Sequence, residues 1–268
     1  MFEDVYDLCV KALTAANNIN NNNNNETTPD ANAILQCVSK ELSRERGSHE
    51  FSRIVLLIYS AALVFLMQSG FAMVCAGAVR KKNVQNTMLK NLLDACGASL
   101  AFFSIGFAFA FGGSNYESDS KSFVGSSNFF LMDVDDYAFF LFQYAFSAAS
   151  ATIVAGTLAE RCQMAAYLCY SFMLTGWVYP VVAHSIWSPQ GFLSAYAVNP
   201  LWGVGMVDFA GSGVVHTTGG ITALFATIIL GPRRGRFHDE EGRRLDTPRD
   251  IPGHSMALQV RTFRKEWI

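Results

Sequence analysis

Residues 137–159 read YAFFLFQYAFSAASATIVAGTLA and contain no Asp, Glu, Lys or Arg. Other uncharged runs cover residues 54–79, 95–116, 162–207 and 209–232. A helix of about 20 residues crosses the roughly 30 Å of hydrocarbon in a bilayer. Because the backbone must satisfy its own hydrogen bonds in lipid, runs of this length are helical rather than strands of a barrel. The sequence therefore predicts an all-α membrane protein.

The uncharged runs set approximate limits for the membrane helices. We predict five transmembrane helices, near residues 54–79, 95–112, 137–159, 164–184 and 209–230. Proline lacks a backbone N–H and interrupts helices. Because Pro180, Pro189 and Pro200 lie in the longest run, we expect that run to form a helix followed by an uncharged loop.

The overall composition agrees with this class. Of 268 residues, 51% are hydrophobic and 16% are charged, whereas about a quarter of the residues in an average soluble domain are charged. The formal net charge is −2, and recognition of nucleic acid requires a basic excess. We therefore expect a lipid bilayer, and no nucleic acid, among the partners.

Basic residues predict the orientation, because cytoplasmic loops are enriched in Lys and Arg. If the amino terminus is outside, the outer loops carry only Lys121, while the inner segments carry Arg80, Lys90, Arg161 and the basic residues of 233–265. We therefore expect an extracellular polar tail over 1–53, a five-helix transmembrane half-domain over 54–230 and a cytoplasmic basic segment over 231–268.

The predicted tail contains an asparagine tract, a glycosylation sequon at Asn25 and two cysteines. We interpret the tract as a flexible tether. Ile34, Leu35, Val38 and Leu42 have the spacing of a short amphipathic helix. In this topology only Cys9 and Cys37 lie on an oxidising side, where they either form a disulfide or remain free thiols.

Two polar residues lie within or beside the last predicted span. Asp208 is the only charged residue between Cys162 and Pro232. Its carboxylate could cap the following helix by accepting the free backbone N–H groups of Gly211 and its neighbours, and a functional role is compatible with capping. His216 lies about two turns deeper, either as a hydrogen-bonded core residue or, as we favour, as part of a transport pathway.

Aromatic residues lie near the outer ends of the third and fourth spans. Phe142 and Phe146 share one helical face and serve either packing or a gate. Trp187 is expected at the interface, where tryptophan is an anchor or a cation–π face for a small cation. Small residues on the third span, including Ser147 and Ala151, predict close helix packing.

The sequence lacks the motifs that would indicate an enzyme. AGSG at 210–213 lacks the first glycine of a Gly-x-Ser-Gly nucleophile motif, and GSGVVH at 211–216 is not a dinucleotide fingerprint. No histidine or cysteine pair has a metal-binding spacing. We therefore expect no enzyme activity, cofactor or metal site.

Several stretches together resemble the ammonium transporter (Amt/Mep/Rh) family, most closely its plant-type members. They are MQSGFAM (67–73), KNLLD (90–94), FQYAF (142–146), AER (159–161), DFAGSGVVH (208–216), the Gly219-Gly220 pair and GPRRGRF (231–237). The resemblance covers residues 54–260 in order and spacing.

The resemblance implies a function and a set of roles. It implies that the protein recruits ammonium at the outer face of the plasma membrane and conducts it through a hydrophobic, histidine-lined pore, normally as a homotrimer. By position, Trp187 and Asp208 form the recruitment site, Phe142 and Phe146 the gate, and His216 the first pore histidine. Since a neutral histidine both donates and accepts, it suits the relay of a proton while ammonia passes.

The family consists of eleven helices in two inverted halves plus a last helix, and this chain matches only the amino-terminal half. A sixth span begins at 251–260, but the basic stretch 261–265 ends it. We therefore expect a truncated first half of the transporter. The alternative is a non-transporting fragment or sensor that binds and modulates full-length subunits.

Overall fold

The computed structural model describes residues 2–20, 31–113, 120–239 and 242–255, and these form helices joined by irregular segments. We label the long helices α1 to α6 in chain order: α1 Phe2–Asn20, α2 Ala31–Ala78, α3 Lys81–Phe111, α4 Tyr137–Leu158, α5 Met164–Trp187 and α6 Ser212–Leu230. Short 3-10 turns occur at Phe129–Leu131 and Leu201–Gly203.

Among the described residues, five helical segments are long and apolar enough to cross a membrane: Gly47–Ala78 within α2, and all of α3, α4, α5 and α6. The predicted all-α class with five spans is thus confirmed. The helix of the second span is longer than the predicted span near 95–112, because α3 begins at Lys81. The prediction had excluded Lys90 and Asp94 as charged, yet both are buried in α3.

The helix of the fourth span runs past Pro180, as the predicted limits of 164–184 require, and ends three residues later than predicted, at Trp187. Residues Leu174–Val178 form a π turn directly before the proline, and α5 then runs on to Trp187. A π turn widens the backbone locally, which is one way that a helix accommodates a residue without an N–H. Pro189 and Pro200 lie beyond the helix, in the predicted loop.

The four helices α3 to α6 pack against one another around two apolar clusters. One cluster includes Phe102, Tyr179 and Val215, and lies towards the end of the bundle that carries Trp187. The other includes Val154 and Tyr167, towards the end that carries Glu160. We call these the Trp187 end and the Glu160 end.

Small residues permit close contact between α4 and α6, as the sequence predicted. A Cβ atom on Gly219 would lie only 2.9 Å from the carbonyl oxygen of Ser150 and 3.0 Å from Cβ of Ile153. Ser147, Ser150 and Ala151 on α4 are fully buried. Any larger side chain at 219 would push the two helices apart.

The region 1–57 forms a separate compact unit. Its α1 helix was not predicted, whereas the helical spacing of residues 34–42 falls in the first part of α2. Cys9 and Cys37 form a disulfide with Cα atoms 5.8 Å apart, beside a small cluster with Val5 and Val38. The Asn25 sequon lies outside the described residues.

The described part of the expected sixth span, residues 251–255, is not helical. The backbone N–H of His254 donates to the carbonyl oxygen of Val79 at 2.9 Å, so this segment lies against the end of α2. The rest of that expected span, from residue 256 onwards, lies outside the described residues.

Candidate functional site

Asp208 lies just before α6 and caps it. Its Oδ1 accepts hydrogen bonds from the backbone N–H of Gly213 at 2.7 Å and from the Ser212 hydroxyl at 3.1 Å. Its Oδ2 accepts from the N–H of Val214 at 3.3 Å. These N–H groups have no partner within the helix, and the positive end of the helix dipole also favours the carboxylate. The predicted capping interaction is therefore present, with the donors in the first turn of α6.

The turn between Asp208 and α6 depends on a left-handed backbone. Ala210 and Gly211 have φ values of 55° and 75°. A Cβ atom on Gly211 would lie 2.7 Å from Cγ2 of Val215, so glycine satisfies both the conformation and the close approach. This turn directs the Asp208 carboxylate back onto the helix that follows it.

The three predicted aromatic residues form a continuous chain of ring contacts. The ring centres of Phe142 and Phe146 are 4.9 Å apart, edge to face. The Phe146 and Trp187 ring centres are 5.6 Å apart at an interplanar angle of 67°. These are favourable geometries for aromatic pairs, and α4 and α5 place the rings together at the Trp187 end.

The Trp187 ring also reaches the turn that precedes α6. Its Cζ2 atom lies 3.8 Å from the position that a Cβ on Gly211 would occupy. Trp187 and Asp208 are each partly exposed. Phe142, Phe146, Trp187 and the Asp208 turn therefore form one surface, which we call the aromatic mouth. The faces of aromatic rings attract small cations.

His216 lies in the π turn Ser212–Thr217 at the start of α6, and its side chain is exposed. Its backbone N–H donates to the carbonyl oxygen of Gly211 at 2.9 Å, but within the described part of the chain no side-chain hydrogen bond or ring contact joins its imidazole to the aromatic mouth. It belongs to a line of exposed residues spaced four apart along α6. We call this line the α6 stripe: Ser212, His216, Gly220, Leu224 and Ile228.

The sequence analysis did not identify Glu160 as a candidate, yet it is the centre of an ion-pair cluster at the Glu160 end. Its side chain is 1% exposed and pairs with Arg80 at 3.1 Å and Arg233 at 3.3 Å. The Asn83 amide also donates to it. Burial acts to raise the pKa of Glu160, but the hydrogen bonds from Asn83 and Arg80 outweigh burial and lower that pKa. In the sequence, Glu160 was noted only as part of the AER motif at 159–161.

The sequence analysis also did not identify His184, which holds the segment between α3 and α4 against α5. The fully buried ring places Nδ1 2.8 Å from the Ala110 carbonyl oxygen and Nε2 2.8 Å from the Ser122 hydroxyl. Because a carbonyl oxygen only accepts, Nδ1 carries the proton and Ser122 donates to Nε2. No sequence signal identified these partners, which lie far from His184 in the chain.

Within the described ranges, no group of three or more His, Cys, Asp or Glu side chains is placed to hold a metal ion.

The chain matches the sequence model of the Ammonium Transporter Family over residues 55–260. Ammonium transporter 1 member 3 of Solanum lycopersicum is 51% identical over 210 residues, which are 77% of this chain and 43% of that relative. Ammonium transporter 3 of Dictyostelium discoideum is 42% identical over 220 residues, which are 82% of this chain and 47% of the relative.

Solved structures agree in fold. A structure named Sensor Amt Protein is 32% identical and superimposes with a TM-score of 0.65, covering 80% of this chain and 51% of that chain. Candida albicans Mep2 is 27% identical with a TM-score of 0.62, covering 80% of this chain and 45% of that chain. The chain thus spans about half the length of these proteins, or less.

Proposed function

The chain belongs to the ammonium transporter family, and from this membership we propose that it supplies the first half of a pathway that carries ammonium across a membrane. Its five apolar helices and its family make it an integral membrane protein. The relatives that it matches are named as transporters. The observation that carries the proposal is the aromatic mouth, where the Trp187 ring lies beside the turn at Gly211 that follows Asp208.

We assign recruitment of the cation to Trp187 and Asp208. The face of a tryptophan attracts a cation with about 0.5–2 kcal/mol, and the carboxylate of Asp208 supplies the negative charge. Both oxygens of that carboxylate accept backbone N–H groups, which hold it at the start of α6. Capping α6 and attracting ammonium therefore use the same charge.

We assign the gate to Phe142 and Phe146, and their edge-to-face ring contact supports this assignment. A bare cation is too costly to place between apolar walls. Ammonium therefore loses its proton behind the gate, and ammonia continues along the pathway.

We assign His216 to the proton relay. A neutral imidazole both donates and accepts a hydrogen bond, which suits the transfer of a proton. The exposed α6 stripe that carries it is the surface on which we place a second half of the transporter. With that half in position, His216 would line the pore instead of facing the surroundings.

The setting follows from the same proposal. We place the 1–53 tail outside the cell, the transmembrane half-domain at 54–230, the basic segment 231–268 in the cytoplasm, and the protein in the plasma membrane as a homotrimer. A second candidate function, modulation of full-length subunits by a non-transporting fragment or sensor, is favoured by the exposed α6 stripe, which could pack against such a subunit.

The decisive experiment compares two helix-capping aspartates. Asp136 caps α4 through the Phe139 N–H at 2.9 Å, so Asp136→Asn is a matched control for Asp208→Asn. Each variant is expressed in ammonium-transport-deficient yeast as this chain joined to the second half of the Solanum lycopersicum relative. We expect Asp208→Asn to abolish growth on low ammonium with normal surface amounts, and Asp136→Asn to retain it.

Two outcomes would count against the proposal. Normal growth with Asp208→Asn would reduce the carboxylate to a helix cap. Growth supported by the 268-residue chain without any second half would contradict the half-pathway and would favour self-assembly of two copies.

A further inference from the structure

Asp94 lies in the membrane-spanning part of α3 and is completely buried, with an exposed fraction of 0%. Within the described part of the chain, neither of its carboxyl oxygens has a hydrogen-bond partner. The aromatic mouth, the gate and His216 do not use this residue. A buried polar group without a partner is rare in a folded protein and requires a physical explanation.

The groups that face Asp94 are neutral hydroxyls from the two neighbouring helices. They belong to Ser171 and Tyr167 on α5 and Thr152 on α4. All three residues are buried. The Ser171 hydroxyl donates to the backbone carbonyl of Asp94 at 3.3 Å, and Thr152 bonds Gln68 of α2. The Tyr167 hydroxyl has no hydrogen-bond partner within the described residues.

The cationic side chain of Lys90 is close to Asp94 in the chain, but it binds another group. Lys90 lies one helical turn before Asp94, and its Nζ donates to the backbone carbonyl of Cys162 at 2.5 Å. The same Nζ lies 5.7 Å from the centre of the Tyr167 ring. No ion pair of Asp94 occurs among the described residues. Its negative charge would therefore have no partner.

The other titratable groups around Asp94 do not supply a counter-charge. They are Cys75 on α2, Tyr144 on α4, and Tyr167 and Tyr170 on α5. Thiols and phenols are neutral near pH 7 and become negative when they ionise. Ionisation of any of them would add repulsion to a carboxylate. None of these four titratable groups therefore stabilises a charged Asp94.

We propose that Asp94 is a proton-binding site in the core of the bundle, occupied in the folded chain. A bare carboxylate in this position would lose its hydration without gaining an ion pair. The neutral acid instead carries one O–H donor and one carbonyl acceptor, which suit the surrounding hydroxyls. The proton comes from water on folding and returns to water on unfolding.

This site differs from the proposed ammonium pathway in place and in chemistry. Four helices meet around it, because Gln68 and Cys75 belong to α2, Thr152 to α4 and Tyr167 to α5. Releasing the proton would leave an unpaired charge at their junction. Proton binding by Asp94 therefore stabilises the packing of these helices whether or not ammonium is the substrate.

Infrared spectroscopy of the purified 268-residue chain in detergent tests this directly. A protonated carboxyl group gives a carbonyl band that a carboxylate does not give. At about pH 7, where exposed carboxyl groups are ionised, we expect such a band in the unmodified chain and its complete loss in Asp94→Asn. The control Asp136→Asn should keep the band, and Tyr167→Phe should shift it without removing it.

The absence of a protonated-carboxyl band from the unmodified chain would overturn the proposal, and that measurement requires no variant to fold. A band that persists at full strength in folded Asp94→Asn would also overturn it.

Thermal unfolding gives an independent readout. Since the folded chain retains a proton that the unfolded chain releases, the Tm of the unmodified chain should fall relative to that of Asp94→Asn between about pH 5 and about pH 8. A Tm difference that is constant over this range would contradict the proposal.

Discussion

At the scale of single residues, the properties of Asp208 and Trp187 depend on their immediate surroundings. The Asp208 carboxylate accepts N–H groups from the first turn of α6, so it is held in one orientation by the helix that it caps. The Trp187 ring contacts Phe146 on one side and the turn at Gly211 on another. Loss of the Asp208 side chain would therefore remove a charge, whereas loss of the Trp187 side chain would remove an aromatic face.

We expect Trp187→Leu to weaken transport less than Asp208→Asn in the chain completed with a second half. A cation–π contact of about 0.5–2 kcal/mol corresponds to a loss of roughly 2-fold to 30-fold in apparent affinity. The maximal rate should change little, because the gate and His216 remain. Concentration-dependent uptake of ammonium measures both quantities.

Trp177→Leu is the matched control for this experiment. Trp177 lies on α5, is 43% exposed and contacts Phe109 at 5.0 Å between ring centres, so it is aromatic but separate from the aromatic mouth. Equal losses of affinity in both variants would indicate a general effect on α5. An unchanged affinity in Trp187→Leu would remove Trp187 from the recruitment site.

At the scale of helices, the Glu160 cluster connects the ends of three elements. Arg80 follows α2, Glu160 follows α4 and Arg233 follows α6. Arg161 adds a hydrogen bond to the carbonyl of Gly231 at 3.0 Å, and Arg233 donates to the carbonyl of Ala78. These contacts satisfy carbonyl groups that helix ends leave without partners and set the spacing of the helices at this end.

We expect Glu160→Gln to lower the free energy of unfolding by about 2–3 kcal/mol. This value is at or below the lower end of the range for breaking a buried ion pair, because the two arginines stay partly exposed. Asp239→Asn, which removes a surface pair with Arg243, is the control and should cost less than about 1 kcal/mol. Similar costs for both would show that the Glu160 cluster is not a structural junction.

The same substitution should also change the pH dependence of stability. Since the pKa of Glu160 is lowered in the folded chain, its contribution is present above the unfolded value of about 4.3 and is lost as the pH falls through the folded value. The difference in Tm between the unmodified chain and Glu160→Gln should therefore shrink below about pH 4.

At the scale of the whole molecule, the two ends of the bundle differ in charge. The Glu160 end carries an open cleft lined by five basic residues among others: Arg80, Lys82, Arg233, Arg234 and Arg249. The described loops at the Trp187 end carry Lys121 alone as a basic residue. By the positive-inside rule, the Glu160 end is therefore predicted to face the cytoplasm, with the aromatic mouth outside.

Epitope tags at the two ends of the chain test this orientation. In intact cells we expect an antibody to label a tag before Met1 and not a tag after Ile268, while both should be labelled after permeabilisation. Labelling of the carboxy-terminal tag in intact cells would reverse the orientation and would place the aromatic mouth on the cytoplasmic side.

Interactions between residues that are close together in the chain could be predicted from the amino-acid sequence. The uncharged run at 137–159 coincides with α4 to within one residue at its end, because lipid selects helices by length and polarity alone. The Asp208 cap was predictable since donor and acceptor lie within six residues. The contact of Phe142 with Phe146 follows from helical spacing.

The remaining features depend on partners that are distant in the chain. Nothing near Asp94 or Lys90 in the sequence shows that α3 would bury them, because the groups that receive them lie on α5 and before it, at Tyr167, Ser171 and Cys162. Glu160 likewise pairs with Arg80 and Arg233 only because the ends of α2, α4 and α6 lie close together in the tertiary structure. The hydrophobic pattern of the sequence indicates which segments are removed from water. The partners of buried polar groups depend instead on which helices pack against one another in the tertiary structure.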